Sequence, residues 1–138
     1  MATMRQHVWI NRPADAVWEV VADPCSVTRW FPGMTSVVMD GSNREITLRS
    51  GVPLREEIVT VNNDLRRFQY RLLGPLPVEH HLASIDVIGD GDDGDDGDGA
   101  RRCIVVYSTD VDPPALAPIL DGAARAALDS LRSLMEAT

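Results

Sequence analysis

Residues 112–138 constrain the fold most, because only this stretch is long and periodic enough to make a full-length helix. Leu116, Ile119, Leu120, Ala123, Ala124, Ala127, Leu128, Leu131, Leu134 and Met135 recur at steps of three and four, with Asp121, Arg125, Asp129, Arg132 and Glu136 between them. That spacing gives one apolar stripe for a core and one charged face for water. Asp112 is positioned to cap the helix and Pro113 to take its first position. Pro118 removes a backbone donor and Gly122 costs about 1 kcal/mol against Ala, so a kink or a late start is predicted in the first turns. At about 1.5 Å per residue the stretch from 113 to 135 would run roughly 34 Å, longer than an ordinary strand, so the helix must lie across a sheet.

The preceding chain supplies that sheet. Residues 4–10 are rich in β-formers, and a short amphipathic helix follows from Ala14, with Val17, Trp18, Val20 and Val21 largely on one side until Asp23-Pro24. A second helical turn runs from Ser26 to Trp30 and stops at Phe31-Pro32-Gly33. Residues 36–39, 45–49, 54–61, 67–73, 81–88 and 103–109 then read as strands, separated by short Gly-, Asn-, Asp- and Pro-rich turns. Such connections are too short for parallel crossovers, so the strands form an antiparallel meander. The expected class is α+β: seven antiparallel strands in a curved sheet, two short helices after the first strand, and a long terminal helix on the concave face. A helix that covers only part of that face leaves a cavity.

At 138 residues the chain is expected to be a single domain, 1–138, able to bury about two-thirds of its unfolded surface. No run of eighteen apolar residues and no cleavable leader is evident, so the expectations are a cytoplasmic protein with no integral membrane segment. Cys25 and Cys103 match no metal or redox spacing and read as reduced thiols. The net charge of −8 arises largely from Asp90, Asp92, Asp93, Asp95, Asp96 and Asp98; without them it is −8 + 6 = −2, an ordinary balance that suggests no nucleic-acid partner. All thirteen basic residues are arginine, which excludes Schiff-base lysine chemistry. The tract 89–99 fits neither an EF-hand register nor a calcium nonapeptide repeat, and reads as a flexible acidic hairpin tip.

The order β-α-α followed by six strands and a helix resembles the helix-grip fold of the START and birch-pollen-allergen superfamily, also called SRPBCC. Residues 11–18 (NRPADAVW), 30–33 (WFPG) and 55–58 (REEI), with Tyr70 and a closing Asp112-Pro113, are similar to its bacterial polyketide cyclase/dehydrase and lipid-transport branch. Two features depart from that pattern: a short hairpin at Gly41-Ser42-Asn43, just before Arg44, and the long Asp/Gly insertion. The resemblance implies a pocket for a hydrophobic small molecule and leaves open whether the molecule is carried or converted.

Strand parity then selects candidates. Leu54, Glu56, Ile58 and Thr60 share one face of their strand, and the resemblance matches the family's recurrent glutamate to Glu56. Phe68, Tyr70 and Leu72 form the apolar face of the next strand. His81, Ala83, Ile85 and Val87 face inward on the following one, with His80 turned outward, so the two histidines cannot chelate one ion. Cys103, Val105, Tyr107 and Thr109 share a face, and the resemblance places Tyr107 inward. Glu56, Tyr70, His81, Tyr107 and Arg44 thus form a candidate polar set inside an aliphatic pocket, with Phe68 beside them. Trp30, Phe31, Leu116 and Leu120 are expected to supply apolar wall, with Trp30-Phe31 and residues 74–77 (GPLP) at the mouth; Trp18 reads as core. The set could orient a ligand's oxygens, or act in a cyclase or dehydratase with Glu56 or His81 as base and Tyr70 or Tyr107 as acid. A protein-interaction module with a filled core is the third reading. No nucleophile elbow, phosphate loop or metal-ligand spacing is present, so no cofactor and no metal are expected, and the chain reads as a monomer or weak dimer.

Overall fold

The computed structural model describes residues 1–91 and 101–137. Its strands are β1 (Ala2–Ile10), β2 (Met34–Asp40), β3 (Asn43–Leu48), β4 (Pro53–Asn62), β5 (Arg67–Gly74), β6 (His80–Gly89) and β7 (Cys103–Asp112). Helices α1 (Ala14–Val21) and α2 (Val27–Trp30) follow β1, joined by a 3-10 turn at Pro24–Ser26, and α3 (Ala117–Glu136) closes the chain. The strands form one antiparallel sheet in the order β1-β7-β6-β5-β4-β3-β2. This is the helix-grip α+β arrangement. The acidic tip expected at 89–99 falls mainly on residues outside the described ones.

Alternation in sequence becomes alternation in burial. Along β7, Cys103, Val105, Tyr107, Thr109 and Val111 are buried while the residues between them are partly exposed, and β6 repeats the pattern from His81 to Val87. The inward residues of β1, β5, β6 and β7 pack with Ala14, Val17, Trp18 and Val21 of α1 and with Ala124, Ala127, Leu128, Leu131 and Met135 of α3 in one core. Full burial of a Leu or Ile side chain stabilises by about 1.5–3 kcal/mol, so Leu128 and Leu131, each 0% exposed, anchor the distal half of the helix.

Helix α3 starts late, as Pro118 dictates: the chain first makes a 3-10 turn at Pro114–Leu116, and Pro118 sits in the first turn, where its missing N–H is not needed. The cap differs from the expectation. Asp112 ends β7, Pro113 is extended, and α3 has Leu116 at its N-cap with no side-chain capping bond, because the last β7 pairing, Asp112 with His80, holds that segment in the sheet.

Polar ties fix the helix along β1. Gln6 Nε2 donates to Asp121 at 2.9 Å and Arg125 donates to the His7 carbonyl at 3.0 Å. At the far end Arg12 donates to the Met135 carbonyl at 2.8 Å, satisfying a terminal acceptor of the helix. The distal half of α3 is therefore sealed against β1 and the core, whereas Ile119, 67% exposed, and the half-buried Leu120 in its first turns overhang the sheet.

Candidate functional site

Under that overhang the sheet opens. Strands β5 and β6 pair from Arg67↔Asp86 to Tyr70↔Ala83 and no further. Beyond that point the backbone N–H of Leu72 donates instead to Nδ1 of His81 at 3.0 Å, an imidazole standing in for the missing ladder bond. Register shifts in β4 between Arg55 and Glu56 and between Ile58 and Thr60 bend the neighbouring strand.

The result is a cavity of about 330 Å³. Its floor is buried Met34, Glu56, Tyr70, Leu72 and His81; its rim is exposed Pro32, Val52, Pro75 and Ile119; Phe31, Leu48, Leu54, Leu76, Leu120 and Ala123 form the wall. Of the described residues lining it, Glu56, Tyr70 and His81 alone have polar side chains.

Those groups are already oriented. Glu56 Oε1 accepts two hydrogen bonds from Arg44, from Nε at 3.0 Å and from Nη2 at 2.5 Å, across the β3–β4 pairing Arg44↔Glu56. Arg44 also donates from Nη1 to the Pro24 carbonyl at 2.8 Å, and its guanidinium carbon lies 5.5 and 5.4 Å from the ring centroids of Phe68 and Tyr70. Arg44 thus joins β3, β4, β5 and the turn before α2, and it does not line the cavity. Burial raises the Glu56 carboxyl above its ordinary value, with Arg44 pulling the other way. Both Arg44 bonds fall on Oε1.

The hydroxyls of Tyr70 and Tyr107 hydrogen-bond to each other, and their rings meet edge to face. Burial raises both phenols above their ordinary value. His81 is pushed down to about 4 by burial, with His80 adding to the effect. A neutral ring whose Nδ1 accepts a backbone N–H carries its proton on Nε2. The imidazole therefore keeps an N–H donor on Nε2, on a ring that lines the cavity.

The candidate residues divide into two shells. Phe31, Glu56, Tyr70, His81 and Leu120 line the main cavity. Arg44, Phe68, Trp30 and Tyr107 lie behind it, around a void of about 10 Å³ that shares Phe31, Met34, Glu56 and Tyr70 with the main cavity. Trp30 is core rather than rim: it is 4% exposed, and its Nε1 donates to Ser26 Oγ at 3.2 Å. Leu116 lies in the 3-10 turn before α3 and does not line the cavity, since the late helix start keeps it a turn short of the overhang. No group of three or more His, Cys, Asp or Glu among the described residues is arranged to hold a metal ion, and both cysteines are free thiols.

Residues 1–136 match the family model described as polyketide cyclase / dehydrase and lipid transport. The chain belongs to this family. In fold, this family member is similar to XoxI from Bacillus cereus (TM-score 0.85, 20% identity, 98% of this chain and 96% of that one). It is also similar to the di-domain aromatase/cyclase BexL of the BE-7585A biosynthetic pathway (TM-score 0.76, 20% identity, 96% of this chain and 46% of that one). A third neighbour is norcoclaurine synthase from Thalictrum flavum in complex with dopamine and hydroxybenzaldehyde (TM-score 0.71, 18% identity, 96% and 85%). At these identities the likeness is one of fold. No curated protein matches the chain. No helix among the described residues is long and apolar enough to cross a membrane.

Strand parity placed Leu54 on the Glu56 face of β4 but missed the rest of the cavity's aliphatic wall. Met34, Leu48 and Val52 lie on β2, on β3 and in the turn before β4, where the sequence alternates weakly and the β2–β3 register shifts. The one available signal was their apolar character next to turn residues.

Proposed function

We propose that this family member binds an apolar small molecule, of lipid or polyketide type, between the sheet and the first turns of α3. The cavity itself carries the reading. About 330 Å³ lies at the small end of the range for ligand sites, and its lining is hydrocarbon apart from three groups on the floor. The hollow opens to solvent at its rim, so its hydrocarbon wall faces water that an apolar ligand would displace, a favourable transfer. An interaction module without a ligand has no use for such a hollow. The His81 Nε2–H supplies an orienting donor, and Tyr70 and Glu56 stand beside it.

Native mass spectrometry and ligand-detected NMR against panels of lipids and polyphenols test the proposal. The expected result is a one-to-one complex that Ala123→Trp, which fills the cavity, abolishes while the fold survives. Binding undiminished in a folded Ala123→Trp variant would place the ligand elsewhere.

One observation favours catalysis as a second reading: Glu56 lines the cavity with its carboxyl raised and takes both Arg44 bonds on Oε1, which suits a base or acid in cyclisation or dehydration. His81 is a poorer base, because its accepting nitrogen is taken by Leu72. Tyr70 is the better acid of the two phenols, since Tyr107 lies behind it. Turnover lowered by Glu56→Gln in a folded protein supports this reading. Stoichiometric recovery of unchanged ligand supports the carrier.

A further inference from the structure

We infer that the cavity selects an uncharged, compact ring compound bearing one carbonyl-type acceptor, and discriminates against carboxylates and phosphates of equal size; this rests on the binding function proposed above.

Three observations set the selection. The first is size. A hollow of about 330 Å³, at the small end of the range for ligand sites, suits a compact molecule of one or two fused rings.

The second is charge. The only carboxylate on the floor is Glu56, and no arginine lines the cavity among the described residues. The nearby cation, Arg44, directs its donors at Glu56 Oε1 and the Pro24 carbonyl and is 4% exposed. An entering anion would lose its water, meet no partner cation and approach an acidic side chain, which is the costly case for burial of charge.

The third is donor geometry. Leu72 N–H occupies His81 Nδ1, so the ring offers Nε2–H as a donor and has no second nitrogen for a ligand's proton. A ligand oxygen that accepts that bond satisfies the imidazole. A hydrocarbon leaves it unpaired. Burial holds the ring neutral, with its pKa down to about 4, so the donor carries no charge that could neutralise an anion.

Three naphthalenes of matched heavy-atom count test the inference: 2-acetylnaphthalene, 2-isopropenylnaphthalene and 2-naphthoate. Affinities come from ligand-detected NMR at neutral pH, and the imidazole Nε2–H is followed in the ¹⁵N spectrum of the intact protein. The ketone should bind tightest and shift the His81 Nε2–H signal. The hydrocarbon should bind about two- to tenfold more weakly without that shift, as one net hydrogen bond allows, and naphthoate at least about tenfold more weakly than the ketone. In H81F, ketone and hydrocarbon should bind alike; the ¹⁵N readout serves should that variant not fold. Naphthoate binding as tightly as the ketone overturns the charge selection and leaves the binding function standing. Equal ketone and hydrocarbon affinities with an unmoved imidazole signal overturn the acceptor selection. Binding by none of the three overturns both this inference and the function it rests on.

Discussion

Replacing Arg44 by Met leaves the Glu56 carboxyl in the interior without its partner. Both residues are nearly inaccessible, at 4% and 2% exposed, and two donors from Arg44 converge on Glu56 Oε1. Removing one member of a buried ion pair costs about 3–5 kcal/mol, because the remaining charge stays desolvated. Part of that cost depends on pH in a calculable direction. Burial already raises the folded-state pKa of Glu56 above 4.5, and Arg44 is what restrains the rise, so the variant raises it further. An acid with a raised folded pKa loses stability as pH climbs from its unfolded to its folded value, at up to about 1.4 kcal/mol per pH unit, and loses none below both. Relative to wild type at the same pH, Arg44→Met should therefore be about 3–5 kcal/mol less stable at pH 7.5. Near pH 4.5 the deficit should shrink to about 1–2 kcal/mol, the share owed to the Pro24 hydrogen bond and the flanking rings. Urea unfolding followed by fluorescence of the three tryptophans gives both numbers. Adding Glu56→Leu should recover most of the loss at pH 7.5, since an apolar replacement of both partners is close to neutral. A deficit below 1 kcal/mol at pH 7.5, or one that stays constant or grows on acidification, would refute the reasoning.

Tyr107→Phe removes one partner of the buried Tyr70–Tyr107 hydrogen bond and should cost about 1–3 kcal/mol, with Tyr70→Phe in the same chain restoring part of it; additive losses in that double-mutant cycle would contradict the pairing. Leu131→Ala, at a fully buried position of α3, should cost about 2–5 kcal/mol in urea titrations, and a loss under 1 kcal/mol would mean the helix is not seated as described. His81 has its folded pKa lowered from 6.5 to about 4, so its share of stability is complete above about pH 6.5 and is lost as pH falls towards 4. His81→Phe should flatten the stability profile between those values, and an unchanged acid slope would speak against burial of a neutral ring.

The fold was legible where one physical signal dominated. Three- and four-residue spacing marked α3, and Pro118 with Gly122 predicted a kink or a late start, of which the helix shows the late start. Turn residues between branched segments marked the antiparallel strands within about two residues at either end, apart from longer extensions such as the final one of β7 to Asp112. Parity on β5, β6 and β7 separated inward from outward side chains, including His81 from His80, because those strands are regular and face one core. Where two signals competed, the reading failed. Asp112 looked like a cap, but its strand pairing with His80 holds it in the sheet. Trp30 looked like a rim residue beside Phe31, but Ser26 turns its indole nitrogen inward. The Arg44–Glu56 pair could not be seen in sequence at all, since it depends on a hairpin register that puts positions twelve residues apart directly opposite each other. The cavity wall on β2 and β3 was hidden for the related reason that a register shift erases the alternation that parity needs.

Binding depends on the ligand-sized hollow under the first turns of α3. Methyl-detected NMR during titration with an uncharged bicyclic ketone tests it most directly. Saturable shifts are expected at the methyls of Leu48, Leu54, Leu72, Leu76, Ile119 and Leu120, with little change at Leu128 and Leu131 in the sealed half of the helix. Shifts centred instead on the exposed valines Val38 and Val59, or unchanged cavity methyls at saturating ligand, would contradict it.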